Sequence, residues 1–359
     1  MMDQILIGID GGATKVAGGI ITRNEDDAFV LANDVFKVKY RACPSYSPDF
    51  HPIQIAIQLQ ELSSNDLNLS IEEERQGIAY AEACESVIIE LLNNCVAEKV
   101  KIGIGMPGFK TNDKRGITVM NNGPRIPRLL DVLERRLDMA GADHVPLYQL
   151  GNDNDHCGLG ELYAKEGMLK NTTHALYIGG GTGIADAIVL DGQLAPFDDI
   201  SDWMPRTWQL QNDNNVSYED LISHLGIMKQ YAAMTAKSIR ELKIERIYPD
   251  SILKNNEELA SSFISGLAGL ILERIQLLYK HKNVVFDKVV FAIRLGSLFQ
   301  ENKELYNQVK STVLNSIADS DVLDKNAKQI YLDHEFMSIS LLEHAPIIGA
   351  GVAAFYASK

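Results

Sequence analysis

The 359-residue chain is 46% apolar and 23% charged, the balance of a globular protein long enough for two domains. Its formal net charge of −14 argues against a nucleic-acid surface, which needs clustered Lys and Arg. No basic n-region opens the chain and no apolar run reads as a membrane span, while Cys43, Cys84, Cys95 and Cys157 lack paired metal-site spacing, so reduced thiols and a cytoplasmic location are expected.

Taken in order, the run Ile5-Leu6-Ile7-Gly8-Ile9 reads as a strand buried on both faces, and it leads into Asp10-Gly11-Gly12-Ala13-Thr14-Lys15. Gly11 and Gly12 permit positive φ and let a ligand approach the backbone. The turn amides, with Thr14 and Lys15 as added donors, form an anion-binding concavity that suits a polyphosphate and its Mg²⁺, with Asp10 facing the metal or its waters. An ordinary hairpin with solvated polar residues, Asp10 closing an Asx turn, is the competing reading.

Residues 4–9, 16–22 and 28–38 are expected to form an antiparallel meander, and 40–70, with Pro44, Pro48 and Pro52, an irregular excursion. A helix is expected from Ser70 to Cys95, with Ile71, Ile78, Ala81, Val87, Ile88, Leu91 and Leu92 at helical spacing. A strand over 100–109 ends at Pro107-Gly108, Asn121-Asn122-Gly123-Pro124 is a loop, and a helix covers roughly 127–139. A short strand over 145–150 runs into Gly151-Asn152-Asp153-Asn154-Asp155-His156, which opens a helix reaching Tyr163. There Asp153 is either a general base kept ionised by the helix dipole or a plain N-cap.

The segment 175–189 repeats the opening scheme: an apolar strand, the turn Gly179-Gly180-Gly181-Thr182-Gly183, a second strand, then the hairpin signal Asp191-Gly192. Two such units suggest a duplicated α/β architecture with one phosphate loop in each half. Residues 195–217 read as irregular, 217–244 and 256–282 as helices, and 289–295 as a strand leading to Gly296-Ser297. A last strand is placed at 329–333, and the closing helix 347–354 carries small residues that permit close packing.

The order of these motifs resembles the ROK family of sugar kinases, within the actin/hexokinase-like superfamily. The likeness rests on Asp10–Lys15, on Gly103-Ile104-Gly105-Met106-Pro107-Gly108, on Asn152-Asp153 through Leu159-Gly160-Glu161, on Gly181-Thr182-Gly183-Ile184 and on Gly349-Ala350-Gly351. It implies an α/β fold of two ribonuclease-H-like lobes with a cleft between them. The first lobe is taken as 1–122 joined by the helix 346–359, the second as 123–345. It implies Asp153 as catalytic base and Asn152 and Asn122 as sugar ligands, Asn121 aligning as well as Asn122. Gly181, Thr182, Gly183 and Gly296 join Asp10, Gly11, Gly12, Thr14 and Lys15 around ATP, with Mg²⁺ at Asp10.

The family's Glu-x-x-His segment reads Asp198-Asp199-Ile200-Ser201-Asp202-Trp203 here, so Asp199 and Asp202 stand in for the sugar-binding pair. No cysteine lies beyond Cys157 to build the family's zinc site, and the glycine run before the nucleotide base is replaced by Ala292-Ile293-Arg294. The implied function is transfer of the ATP γ-phosphate to a hexose or amino-hexose. The implied partners are small molecules and a second copy in a homodimer, with no nucleic acid and no membrane. A non-catalytic sugar sensor and an actin-type ATPase are the rivals.

Overall fold

The structure is a computed structural model that describes residues 5–95 and 99–357. The chain divides into two compact units, one of Met1–Gly167 with His344–Lys359, the other of Met168–Glu343. The boundary expected after residue 122 thus falls inside the first unit, because the segment it would detach supplies a strand and a helix to that unit's sheet.

In the first unit, β1 (Leu6–Gly11) pairs antiparallel with β2 (Lys15–Arg23), which in turn pairs with β3 (Phe29–Leu31) and β4 (Phe36–Lys39). On its other side β1 runs parallel to β5 (Lys101–Met106). A small hairpin of β6 (Phe109–Lys110) and β7 (Ile117–Val119) follows, and β8 (Leu150–Asn152) lies parallel to β5. The sheet order is β3-β2-β1-β5-β8.

In the second unit, β9 (Ala175–Gly180), β10 (Ile184–Leu190), β11 (Gln193–Ala195), β12 (Lys288–Ala292) and β13 (Met337–Ile339) are ordered β11-β10-β9-β12-β13. The directions match strand for strand: the first hairpin is antiparallel and the two strands across from it are parallel. The duplicated α/β architecture expected from the repeated glycine turns is therefore present as a repeated topology.

Close backbone contact holds the first unit's layers together. The closing helix Ala345–Tyr356 lies on β1 and β5, and a Cβ at Gly8 would come within 1.9 Å of the Ile347 carbonyl, one at Gly103 within 1.8 Å of that of Ala350. The helix Asp153–Tyr163 meets it just as closely, since a Cβ on Gly349 would fall 1.8 Å from the His156 carbonyl.

Several expected elements differ. Residues 28–38 form two strands, because Asn33 turns its carboxamide oxygen onto the Ile20 amide at 2.9 Å and breaks the run. Gln4, placed in the first expected strand, lies outside the described residues. The 40–70 segment contains a helix, Ile55–Ser64, ended by Asn65 in the left-handed conformation. Ile71 and Ile78 are 72% and 39% exposed, so the buried face of Ile71–Asn93 is carried by Ala81, Val87, Ile88 and Leu91 instead.

Within 145–150 only Leu150 enters a strand. The expected helix over 217–244 is three, Tyr218–Ile222, His224–Thr235 and Ile239–Ile244, each started by a serine cap. The strand placed at 329–333 is the end of helix Lys325–Asp333, in which Tyr331 is buried while Ile330 and Leu332 face out. The helix Glu257–Lys282 is long and apolar enough to cross a membrane by composition, yet Leu259, Phe263, Leu267, Leu270 and Ile271 are buried in the second unit's core.

Candidate functional site

Asp10, Met106 and Asn152 stand at the carboxyl ends of the parallel neighbours β1, β5 and β8, with Asp10 in register with Gly105 and Met106 with Asn152. The crevice beyond such strand ends is where open α/β sheets bind ligands. Asp153 begins the helix that follows β8, close enough to Asp10 for the two carboxylates to interact. Burial, then the negative charge of Asp153, pushes the Asp10 pKa up to about 7, against a smaller opposing pull from Lys15.

The turn between β1 and β2 is held by its carbonyls. The Tyr40 hydroxyl donates to the Gly12 carbonyl at 2.8 Å, the Tyr80 hydroxyl to that of Ala13 at 3.4 Å, and the Tyr40 amide to that of Thr14 at 3.2 Å. The two tyrosine rings stack with centroids 3.6 Å apart. With their carbonyls tied down, Ala13, Thr14 and Lys15 are left exposed, as an anion cradle requires. The glycines contribute by size rather than by φ: neither Gly11 nor Gly12 has positive φ, and a Cβ on Gly11 would lie 2.1 Å from the Met106 sulfur.

Thr14 and Asn122 line one cavity of about 420 Å³ together with Tyr40, Tyr80 and Gln76. Asn122 is exposed, carried by a loop that buried Arg125 anchors through Glu73 at 2.8 Å and through Glu61. Asn152 is already engaged: its side-chain oxygen accepts from Lys110 Nζ at 2.8 Å and its amide donates to Asp155 at 3.2 Å. Lys110, which also donates to the Met106 and Gly108 carbonyls, is absent from the sequence reading because its bond to Asn152 joins residues 42 positions apart. His156 fills the space over Gly105 and Gly151, and burial, aided by the Lys110 charge, lowers its pKa to about 3. It is a neutral packing group.

The second unit's turn uses the same device with other parts. The Gly181 amide donates to the Gly183 carbonyl at 2.9 Å, while the His224 and Leu225 amides hold the Gly181 and Thr182 carbonyls at 3.2 Å each. The first turn has a matching bond, Gly12 amide to Lys15 carbonyl at 2.9 Å. Gly181 also lines a cavity of about 210 Å³ whose walls are apolar at Ile227, Phe263 and Leu298 and polar at His224, Asp250 and Arg294.

Glu219 is a second residue the sequence reading passed over. Its carboxylate stands 3.0 Å from where a Gly183 Cβ would be, accepts the Ile184 amide, and has its pKa raised chiefly by burial. The cap Ser217 at the start of its helix was the available signal.

Three residues expected at the site line neither cavity. Gly296 sits within helix Ile293–Glu301, where a Cβ would be 2.7 Å from the Ser340 carbonyl, so its smallness serves packing against the chain after β13. Asp199 and Asp202 are exposed and line neither cavity. Their segment is fixed by their neighbours: Arg206 pairs with Asp198 at 2.6 Å, and buried Arg274 joins Asp186 beneath Phe197, its guanidinium 5.2 Å from that ring.

Repeated sheets of order 3-2-1-4-5 make a ribonuclease-H-like fold, and the solved structures that match it include ROK family sugar kinases and a ROK family regulator. A ROK family glucokinase from Streptomyces griseus, solved with glucose and AMPPNP, superposes with a TM-score of 0.59 at 14% identity over 98% of this chain and 99% of that one. The ROK hexokinase from Thermus thermophilus gives 0.55 at 16% identity over 98% of each chain. A ROK family transcriptional regulator, a homologue of the E. coli MLC protein, gives 0.52 at 12% identity over 99% of this chain and 79% of that one. No protein-family profile and no curated protein matches the sequence.

Proposed function

We propose that this chain is a divergent ROK-type kinase that transfers the γ-phosphate of ATP to a sugar hydroxyl. The observation that carries the reading is the Asp10–Asp153 pair beside a turn whose carbonyls are all occupied. Asp10 and Asp153, carboxylates close enough to interact and offering oxygen donors only, fit a hard divalent cation. Asp10 would hold Mg²⁺ directly or through water, and the ion when bound neutralises phosphate oxygens.

The remaining work belongs to the chain. Asp153 accepts the proton of the acceptor hydroxyl as that oxygen bonds to the γ-phosphorus and the bond to the β-phosphate oxygen breaks, leaving ADP. The amides of the first turn, with Lys15, orient the phosphates. The cavity at Gly181 takes the nucleoside, whose apolar walls suit a base and whose His224, Asp250 and Arg294 suit its polar edge. The acceptor occupies the cavity at Thr14 and Asn122.

The test is ADP release over a panel of hexoses and amino-hexoses. Sugar-dependent turnover that drops at least about a hundredfold in Asp153→Asn, with sugar binding retained, supports the assignment. Turnover independent of sugar overturns it. The second reading, a sugar-binding protein without turnover, is favoured by the engagement of Asn152 with Lys110 and Asp155, and wild-type binding without ADP release selects it.

A further inference from the structure

Lys15 and Lys39 are register partners in antiparallel β2 and β4, so their side chains leave one face of the sheet side by side. Like charges directly opposite are destabilising. Lys37 leaves the same face two residues earlier, and Arg41 follows in the single 3-10 turn Tyr40–Ala42. Lys39 and Arg41 are both exposed, and neither forms an ion pair among the described residues. The whole chain carries 48 acidic against 34 basic side chains, so a cation cluster without carboxylates departs from its average surface.

Lys39 and Arg41 both line the 420 Å³ cavity that contains Thr14 and Asn122, and among the described residues no Asp or Glu lines it. Its polar lining is biased toward donors. The Gln76 carboxamide oxygen is taken by the Ser47 amide at 3.1 Å, which leaves that side chain's N–H groups, and the Tyr40 and Tyr80 oxygens already donate to the glycine turn. Tyr46, Phe50 and Tyr80 add aromatic walls of the sort that cover the apolar face of a sugar ring. Tyr40 connects this cavity to the carboxylate pair, since it feels the charge of Asp10.

We infer that the acceptor is a sugar carrying an anionic substituent, carboxylate or phosphate, gripped by Lys39 and Arg41. This rests on the kinase reading and adds the charge of its substrate. The guanidinium of Arg41 suits either oxyanion bidentately, and Lys39 adds a second positive charge on the same cavity wall.

The experiment uses the full chain and a panel of hexoses, hexuronates and hexose 6-phosphates in gluco, galacto and manno configurations. Each is titrated calorimetrically without nucleotide and then assayed for ADP release. An acid preferred over its parent hexose by about tenfold or more in kcat/KM is the expected result. Arg41→Gln and Lys39→Gln, both at exposed positions and checked by their Tm, should each raise the KM for that acid about tenfold while the KM for ATP holds. Preference for the hexuronate assigns the carboxylate, and preference for the 6-phosphate the phosphate.

The inference is overturned if the parent hexose is preferred, if no acid binds, or if the variants change the ATP KM in place of the acceptor KM. Arg41-dependent binding of an acid without turnover would leave the anion pocket standing and bring down the kinase reading alone.

Discussion

Asp10 ends β1 under two pressures, burial and the charge of Asp153, which together raise its pKa from 3.8 to about 7. The fold therefore favours its protonated form. Stability from this group is whole below about pH 4 and is lost as pH rises through about 7, because the unfolded chain gives up the proton first. At pH 8 Asp10→Asn should be more stable than the wild type by about 1 kcal/mol or more, read as a calorimetric Tm in EDTA. Adding Mg²⁺ at that pH should raise the wild-type Tm and leave the variant's where it is; equal shifts in both would remove Asp10 from the metal site.

Ile293 shows strain at a single residue. Its φ of +55° is costly for a β-branched side chain, at an angle a glycine would adopt freely. Ile293 bridges to Gly180, so this conformation stands next to the cavity that Gly180, Gly181 and Arg294 line. Ile293→Gly relieves about 1–2 kcal/mol of strain while losing a half-buried side chain. The urea midpoint should therefore stay within about 1 kcal/mol of wild type, in contrast to the roughly 2–5 kcal/mol that truncating a core isoleucine costs.

At the scale of elements, legibility followed how local the determining forces are. Strand β1 is readable because Ile5–Ile9 is apolar on both faces, and helix Ile71–Asn93 because Ser70 caps it, its hydroxyl accepting the Glu73 amide at 3.1 Å. The run Ile330-Tyr331-Leu332 looks like a strand but takes helical form, since Asp324 caps a helix that needs only Tyr331 inside. The closing helix is the most demanding element. Its glycines admit the neighbouring backbone, so Gly349→Ala drives a methyl into the His156 carbonyl. The expected loss is about 1–3 kcal/mol or more, seen as a lower denaturant midpoint, and a neutral substitution would mean the helix can move away from Asp153–Tyr163.

Across the whole molecule, two buried groups titrate against each other. His156, held near 3, contributes stability that is lost as pH falls below its ordinary 6.5, because the unfolded chain takes up the proton. Between about pH 4 and 6.5 this slope opposes that of Asp10. The wild type should accordingly change little in stability across that window from these two groups, while Asp10→Asn should lose stability steadily as pH falls. A parallel pH profile for the two proteins, measured by urea unfolding, would contradict the assignment of the raised pKa to Asp10.

The amino-acid order alone determined the duplicated α/β plan, since apolar runs and glycine turns repeat in linear sequence and backbone preference reads them without help. It also singled out Asp10, Asp153 and the two turns, because strand ends and helix starts have local signatures. Only the tertiary structure decided that the turn glycines matter for volume rather than φ, that Lys110 and Asp155 engage Asn152, that Glu219 supports the second turn, and that Lys39 and Arg41 share a cavity with Thr14 and Asn122. Those facts arise from residues distant in sequence meeting across packed layers. No periodicity or spacing encodes such meetings until the sheets have formed.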